Sequence, residues 1–389
     1  MKYNFDEVIP RRGSNSIKWD TDSSAEMLPM WIDDMDFRLA PKIKEAVERR
    51  LAQGVFGYAH IPDAFYDAII NWFDRRHQVH LEREWILYTI GVVPAIATVI
   101  HAMTKPGDGI LIQPPVYNCF FNCIEGNNRR LVSNPLRYEN GRYSVDWEDL
   151  ERKAADPNVK MMIICNPHNP AGRVWTREEL LRMGEICMRN NVFILSDEIH
   201  CELMSPGFEY TPFASLSEEL RMHSAFCASP SKAFNLAGFQ VANIFAPNKE
   251  VHDKIEAVLH GMDISSLNCF AVEALIAAYN ESEDWLDELN AYIYDNYLFM
   301  KDFVEREMPD LYLVPLEGTY LAWLDCQVLH MTSNEMNEQL KRDYQLWLNA
   351  GTMYGPEGDG FLRWNLACPR VTLEEGLNRF LKFYQDRKK

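Results

Sequence analysis

Seven short apolar runs separated by segments of helical periodicity fill the middle of the chain, and this alternation limits the fold more than any other feature. The strand candidates are residues 85–90, 109–113, 130–133, 161–165, 192–196, 225–228 and 241–245. Between them the apolar residues recur at three- and four-residue steps. The clearest case is 176–191, which opens on a Thr176-Arg-Glu-Glu179 capping box and lines up Leu180, Met183, Ile186 and Cys187 on one face. Strands that alternate with helices predict an α/β domain, with a mostly parallel sheet between helices. After Ser265 the pattern shifts to helices rich in Trp, Tyr, Glu and Asp up to about Glu307, part of it one long helix leading out of the first domain. Short strands near 312–314 and 319–324, then more helix and a C-terminal region around 361–366, mark a smaller α+β domain. The expected division is an N-terminal segment (1–50) that completes the active site or packs on the small domain, a large domain (51–285) and a small C-terminal domain (286–389).

Charge and composition exclude several functions. The net charge of −18 carries only isolated Arg-Arg pairs, whereas a phosphate-backbone binder needs clustered cations, so no nucleic-acid partner is expected. Residues 85–103 carry no full charge, yet Gly91 and Pro94 interrupt them, and a strand, turn and helix fit better than a membrane span. Nine scattered cysteines read as buried free thiols, with no metal site, in a reducing cytosol. The first residues lack an apolar h-region, so a cytoplasmic location is expected.

Ligands of parallel α/β domains sit beyond the carboxyl ends of the strands, and four polar signals fall at such ends. Gly91-Val92-Val93-Pro94 opens a helix, read as 94–104; Asn166 to Gly172 follows the 161–165 strand; Asp197-Glu-Ile-His200 and Ser229-Pro-Ser-Lys232 follow two others. Each alone is weak, but their chemistry is complementary. A helix N-terminus suits a phosphate, a lysine can condense with an aldehyde, and a carboxylate can pair with a pyridinium nitrogen. An Asn amide can donate to a phenolate oxygen. Pyridoxal 5′-phosphate (PLP) requires all four groups.

The motifs CNPHNPAGRVW (165–175), SDEIHCEL (196–203), SPSKAFNLAGFQ (229–240), EGTYLAWLD (317–325) and GFLRWNLACPR (360–370), with MWIDDMDF (30–37), carry a closer likeness. Over residues 28 to 370 the chain resembles the fold-type-I PLP enzymes, the class I/II aminotransferases and relatives, and within them the cystathionine β-lyase-like C–S lyases. The resemblance implies that Lys232 is the Schiff-base lysine and moves the Cα proton. It implies that Asp197 pairs with the ring nitrogen, that Asn169 donates to the ring hydroxyl oxygen, and that Tyr117 stacks on the ring, although Tyr117 also reads as core packing. Val92, Val93, Ser229 and Ser231 resemble phosphate ligands, and Tyr58 the tyrosine that reaches the phosphate of a neighbouring subunit, implying a homodimer with shared sites. Arg363 resembles the clamp for the carboxylate of an amino-acid substrate, and Arg370 reads as structural.

Two positions separate this chain from typical aminotransferases. His200 and Gln240 stand where those enzymes usually carry Tyr and Arg, and both are similar to the lyase branch, although His200 also reads as a core histidine. The resemblance therefore implies α,β-elimination from cystathionine or L-cysteine S-conjugates to thiol, pyruvate and ammonia, with amino transfer as the alternative. Two departures from that branch are Pro230 and Asp33. A carboxylate at Asp33, in the segment crossing the substrate entrance, could attract a cationic distal group or repel an anionic one. Ser229-x-x-Lys232 also matches a serine acyl-enzyme signature, but its K-T-G companion is missing. A non-catalytic binding protein on an enzyme fold is the third class, against which the full set of cofactor residues argues.

Overall fold

The computed structural model describes residues 2–388. All seven expected strands form one sheet: β1 (Ile86–Thr89), β2 (Gly109–Ile112), β3 (Arg130–Ser133), β4 (Val159–Cys165), β5 (Phe193–Asp197), β6 (Ser224–Ala228) and β7 (Ala242–Phe245), in the spatial order β1-β7-β6-β5-β4-β2-β3. Only β7 runs antiparallel to its neighbours. The central strands β5 and β6 are buried along their whole length, because helices cover both faces and leave no polar side for water. Each Ile or Leu fully buried there contributes about 1.5–3 kcal/mol. Thr176 and Glu179 form the expected capping box at the start of the helix Arg177–Arg189.

Helix α1 (Pro41–Ala52) runs across residue 50, and α2 (Val92–Met103) starts two residues ahead of Pro94. In α2 the proline occupies the third helical position, where a missing N–H still leaves no intrahelical bond unmade. A long helix, α3 (Glu283–Glu307), leads from the large sheet to a second, antiparallel one. That sheet has the order β8-β9-β11-β10, with β8 (Tyr312–Leu313), β9 (Leu321–Asp325), β10 (Asn349–Ala350) and β11 (Phe361–Asn365). Its core joins Met300, Phe303, Leu324, Leu362, Trp364 and Phe380. No helix among the described residues is long and apolar enough to cross a membrane.

The N-terminal segment ties the two sheets together. Residues Leu28–Pro29 pair in parallel with Leu346–Trp347, and Trp31 stacks on Trp347 with ring centroids 4.5 Å apart. Asn235, two residues after the short helix Pro230–Ala233 that follows β6, then brackets Met35 by accepting from its N–H and donating to its carbonyl, both at 3.0 Å.

Candidate active site

The strand order brings the four polar signals to one edge. Strands β4, β5 and β6 are adjacent and parallel, so the Asn169 loop, Asp197 and Lys232 emerge side by side at their carboxyl ends. The reversed direction of β7 puts its start, Gln240 and Val241, at that same edge, and β1 beyond it delivers Gly91 and the N-terminus of α2. One cavity is lined by Asp33, Val92, Val93, Tyr117, Asn169, Asp197, His200, Ser231 and Lys232 from the expected set. Gln240, Ile90, Gly91, Cys165 and Ile199 complete much of its wall.

Three of the expected residues lie elsewhere. Arg363 does not line the cavity but stands directly behind it, buried, with Nη1 donating to Asn169 Oδ1 at 3.0 Å and Nη2 to the Trp31 carbonyl at 2.8 Å. Its guanidinium lies 5.0 Å from the Tyr354 ring centroid, and its buried Nε has no partner among the described residues. Ser229 is also set back. Its hydroxyl donates to the Val241 carbonyl at 2.6 Å and accepts from the Ser231 N–H at 3.0 Å, so it shapes the turn that presents Ser231 and Lys232 instead of facing the cavity. Tyr58 is fully exposed and not part of this chain's own cavity. Arg370 is structural, with Nε donating to Asn296 Oδ1 at 2.7 Å.

Burial sets the electrostatics of the cavity. Asp197 is buried between β4 and β6, opposite Cys165 and Cys227 in the sheet register, and accepts a 3.2 Å bond from the Ile199 N–H. Burial, helped by neighbouring Glu198, pushes its carboxyl up to about 7, against the Ile199 N–H and Lys232. His200 is pushed down to about 3, first by burial and then by Lys232, so it stays neutral, and its buried Nδ1 has no partner among the described residues. Among the described residues no side chain caps the N-terminus of α2, and Gly91, Val92 and Val93 line the cavity there. Among the described residues, Lys232 is the only Lys or Arg lining the cavity. An uncapped helix start, Ser231, one lysine and an under-neutralised buried carboxylate fit the phosphate, aldehyde and ring nitrogen of PLP.

Asp33, expected in the segment crossing the substrate entrance, lines the cavity. In the fold its carboxylate meets Lys232, with Oδ2 2.6 Å from Nζ, and its carbonyl accepts from the same Nζ at 2.9 Å. Two residues went unassigned. Tyr320 donates to the Asp33 carbonyl at 2.9 Å, and Asn365 Nδ2 donates to the carbonyls of Ile32 and Asp34, both at 2.6 Å. Both lie in motifs that mark the family likeness, but their target is a backbone distant in sequence, which no local pattern reports.

Residues 26–380 match the family described as Aminotransferase class I and II. The chain belongs to this family. Among family members, it is 42% identical over 380 residues to "Cystathionine beta-lyase PatB" of Bacillus subtilis, covering 97% of this chain and 98% of that one. Cystalysin from Treponema denticola, whose crystal structure contains a pyridoxal 5′-phosphate cofactor, superposes with a TM-score of 0.96 at 33% identity, covering 99% of this chain and 100% of that one. The PLP-bound C–S lyase from Staphylococcus hominis gives a TM-score of 0.90 at 30% identity over 98% and 97% of the two chains. These likenesses and the cavity's donor set agree on PLP.

Proposed function

We propose that the chain is a PLP-dependent carbon–sulfur lyase that performs α,β-elimination on cystathionine or L-cysteine S-conjugates, releasing a thiol, pyruvate and ammonia. The observation carrying this choice over amino transfer is that His200 and Gln240, the two positions that depart from typical aminotransferases, both line the cavity. The full-length likeness to proteins named as cystathionine beta-lyase and C–S lyase supports the same reading.

When bound, PLP supplies an aldehyde for amino groups and an electron-withdrawing ring. Lys232 would hold the aldehyde carbon, Asp197 the ring nitrogen, Asn169 the ring oxygen, and Ser231 with the Val92 and Val93 amides the phosphate. Arg363 orients the substrate through its carboxylate, and its place behind Asn169 couples the substrate clamp to a cofactor ligand. Lys232 Nζ, freed when the substrate's amino group takes its place, removes the Cα proton as a general base. Neutral His200 adds no cation beside that nitrogen. The burial of Asp197 excludes water from its carboxylate, which strengthens its hold on a ring proton. Supplying cystathionine alone, then an ordinary amino acid with a keto-acid acceptor, tests the reading. Thiol and pyruvate release should outrun amino transfer; the reverse on every substrate would leave the aminotransferase reading standing.

The working unit in this reading is a homodimer with shared sites. Leu51, Val55, Phe56 and Tyr58 are exposed apolar side chains within eight residues, and Phe56 packs on Phe270 5.3 Å away. A second copy covering them would bring Tyr58 to the partner's phosphate. Tyr58→Phe then weakens PLP binding by about 1.5–3 kcal/mol, the range for a hydrogen bond to a charged group. Mixing Tyr58→Phe with a Lys232 variant should regenerate some intact sites, and a fully active monomer in ultracentrifugation would refute the assembly. Nine free cysteines, seven of them buried, suit a reducing compartment, and we place the enzyme in the cytoplasm. The separate apolar core around the second sheet supports dividing the chain near residue 285, within α3.

A further inference from the structure

Segment 31–35 is held at every carbonyl. Trp31 O accepts from Asn349 and Arg363, Ile32 O and Asp34 O from Asn365, Asp33 O from Lys232 and Tyr320, and Met35 O from Asn235 and Arg11. A side chain on so fixed a backbone has a fixed position, and that of Asp33 is on the lysine. Oδ2 lies 2.6 Å from Lys232 Nζ, and Oδ1 3.9 Å from Arg363 Nη2. The lysine directs its hydrogen bond at the Asp33 carbonyl, so Oδ2 keeps its acceptor capacity.

Burial alone would raise the Asp33 carboxyl, but the charges of Lys232 and then Arg363 outweigh it and hold the group well below the usual carboxylate range. The other titratable groups facing it are His200, Tyr117, Cys119, Tyr320 and Tyr354. Burial keeps all five neutral: it pushes His200 down to about 3 and raises the thiol and the three phenols. Asp33 is therefore the fixed anion beside Lys232 Nζ, and Asp197 is the other carboxylate whose field reaches that lysine.

We propose that Asp33 is a positioning residue that keeps the transferred proton on Lys232 Nζ, and so steers turnover toward loss of the β-substituent and away from amino transfer. The inference rests on the lyase reading above. When Nζ takes the Cα proton, the Cα–H bond breaks and an ammonium forms 2.6 Å from a carboxylate. The electron pair left by the proton can form a Cα–Cβ double bond while the Cβ–S bond breaks and its pair leaves with the thiolate. Breaking the Cβ–S bond does not need the ammonium's proton, which passes afterwards to the departing thiolate and leaves Nζ a free amine again. Amino transfer, by contrast, requires the ammonium to give its proton up again to the cofactor. Pairing with Asp33 stabilises the ammonium and slows that donation at the point where the two routes part.

The test compares the wild-type holoenzyme with Asp33→Asn and Asp33→Ala. Bound-cofactor absorbance reports whether the nitrogen joining it to Lys232 carries a proton. Without substrate, the midpoint of its pH titration should fall by roughly one to three pH units in both variants, the range for losing one opposite charge. With an S-conjugate and a keto-acid acceptor, the share of turnovers ending in amino transfer should rise about tenfold or more. An unmoved midpoint in both variants, or an unchanged product ratio, would overturn the assignment. A lowered midpoint in an enzyme that releases no thiol would instead overturn the lyase reading and the steering with it, leaving only the ion pair.

Discussion

Lys232→Ala is expected to lower turnover by on the order of 10⁴-fold or more at saturating PLP. The positioned general base alone is worth 10²–10⁴-fold, and the variant also loses the amine that anchors the cofactor aldehyde. Only this lysine lines the cavity among the described residues, so no neighbour can replace it. The loss should appear in kcat with Arg363 and its contacts intact, because Arg363 is held by Asn169 and Trp31 and not by the lysine. Removing Lys232 also leaves Asp33 buried with one cation 3.9 Å away in place of two, so a moderate fall in Tm should accompany the kinetic loss. Borohydride reduction of the yellow wild-type protein, followed by peptide mapping, should place the adduct on the peptide containing Lys232. An adduct on any other lysine would sink the assignment.

The seven-stranded sheet was legible because strands buried on both faces read as apolar runs, as in residues 161–165 and 225–228. The residues lining the cavity were legible for a related reason: polar motifs at the ends of such runs have to meet wherever parallel strands end together. What stayed hidden depends on contacts between distant parts of the chain. Asp33 reads locally as a carboxylate at an entrance, and only the grip of Asn365, Asn235 and Tyr320, all about 200 or more residues away, turns it toward Lys232. Ser229 reads as a phosphate ligand until the antiparallel β7 brings the Val241 carbonyl to its hydroxyl. Pairings as short as Leu28–Pro29 with Leu346–Trp347 have no periodicity to show. The start of α2 at Val92 was masked by Pro94, a residue that favours the first turn without fixing which of its positions it takes.

Asp197→Asn should lower turnover by about 10²–10³-fold, the range for losing one preorganised electrostatic partner of the reacting group, while the similar shape keeps β5 in place. The pH dependence of cofactor binding gives a second readout. In the protein without PLP the Asp197 carboxyl is raised from 3.8 to about 7, chiefly by burial. A group raised on folding contributes stability that is fully present below its unfolded value and is lost as pH rises through its folded one. For Asp197 the window runs from 3.8 to about 7, and the difference amounts to about 4 kcal/mol. A protonated ring nitrogen supplies the missing counter-charge and removes that loss. The gain in Tm on adding PLP should therefore be larger at pH 8.5 than at pH 5.5 in the wild type, and the dependence should be much flatter in Asp197→Asn. Glu198, also raised to about 7 by burial, is present in wild type and variant alike. The phosphate's own titration is common to both proteins and cancels between them. Equal pH slopes in wild type and variant would mean that Asp197 does not meet the cofactor's charge, and the ring nitrogen would need another partner.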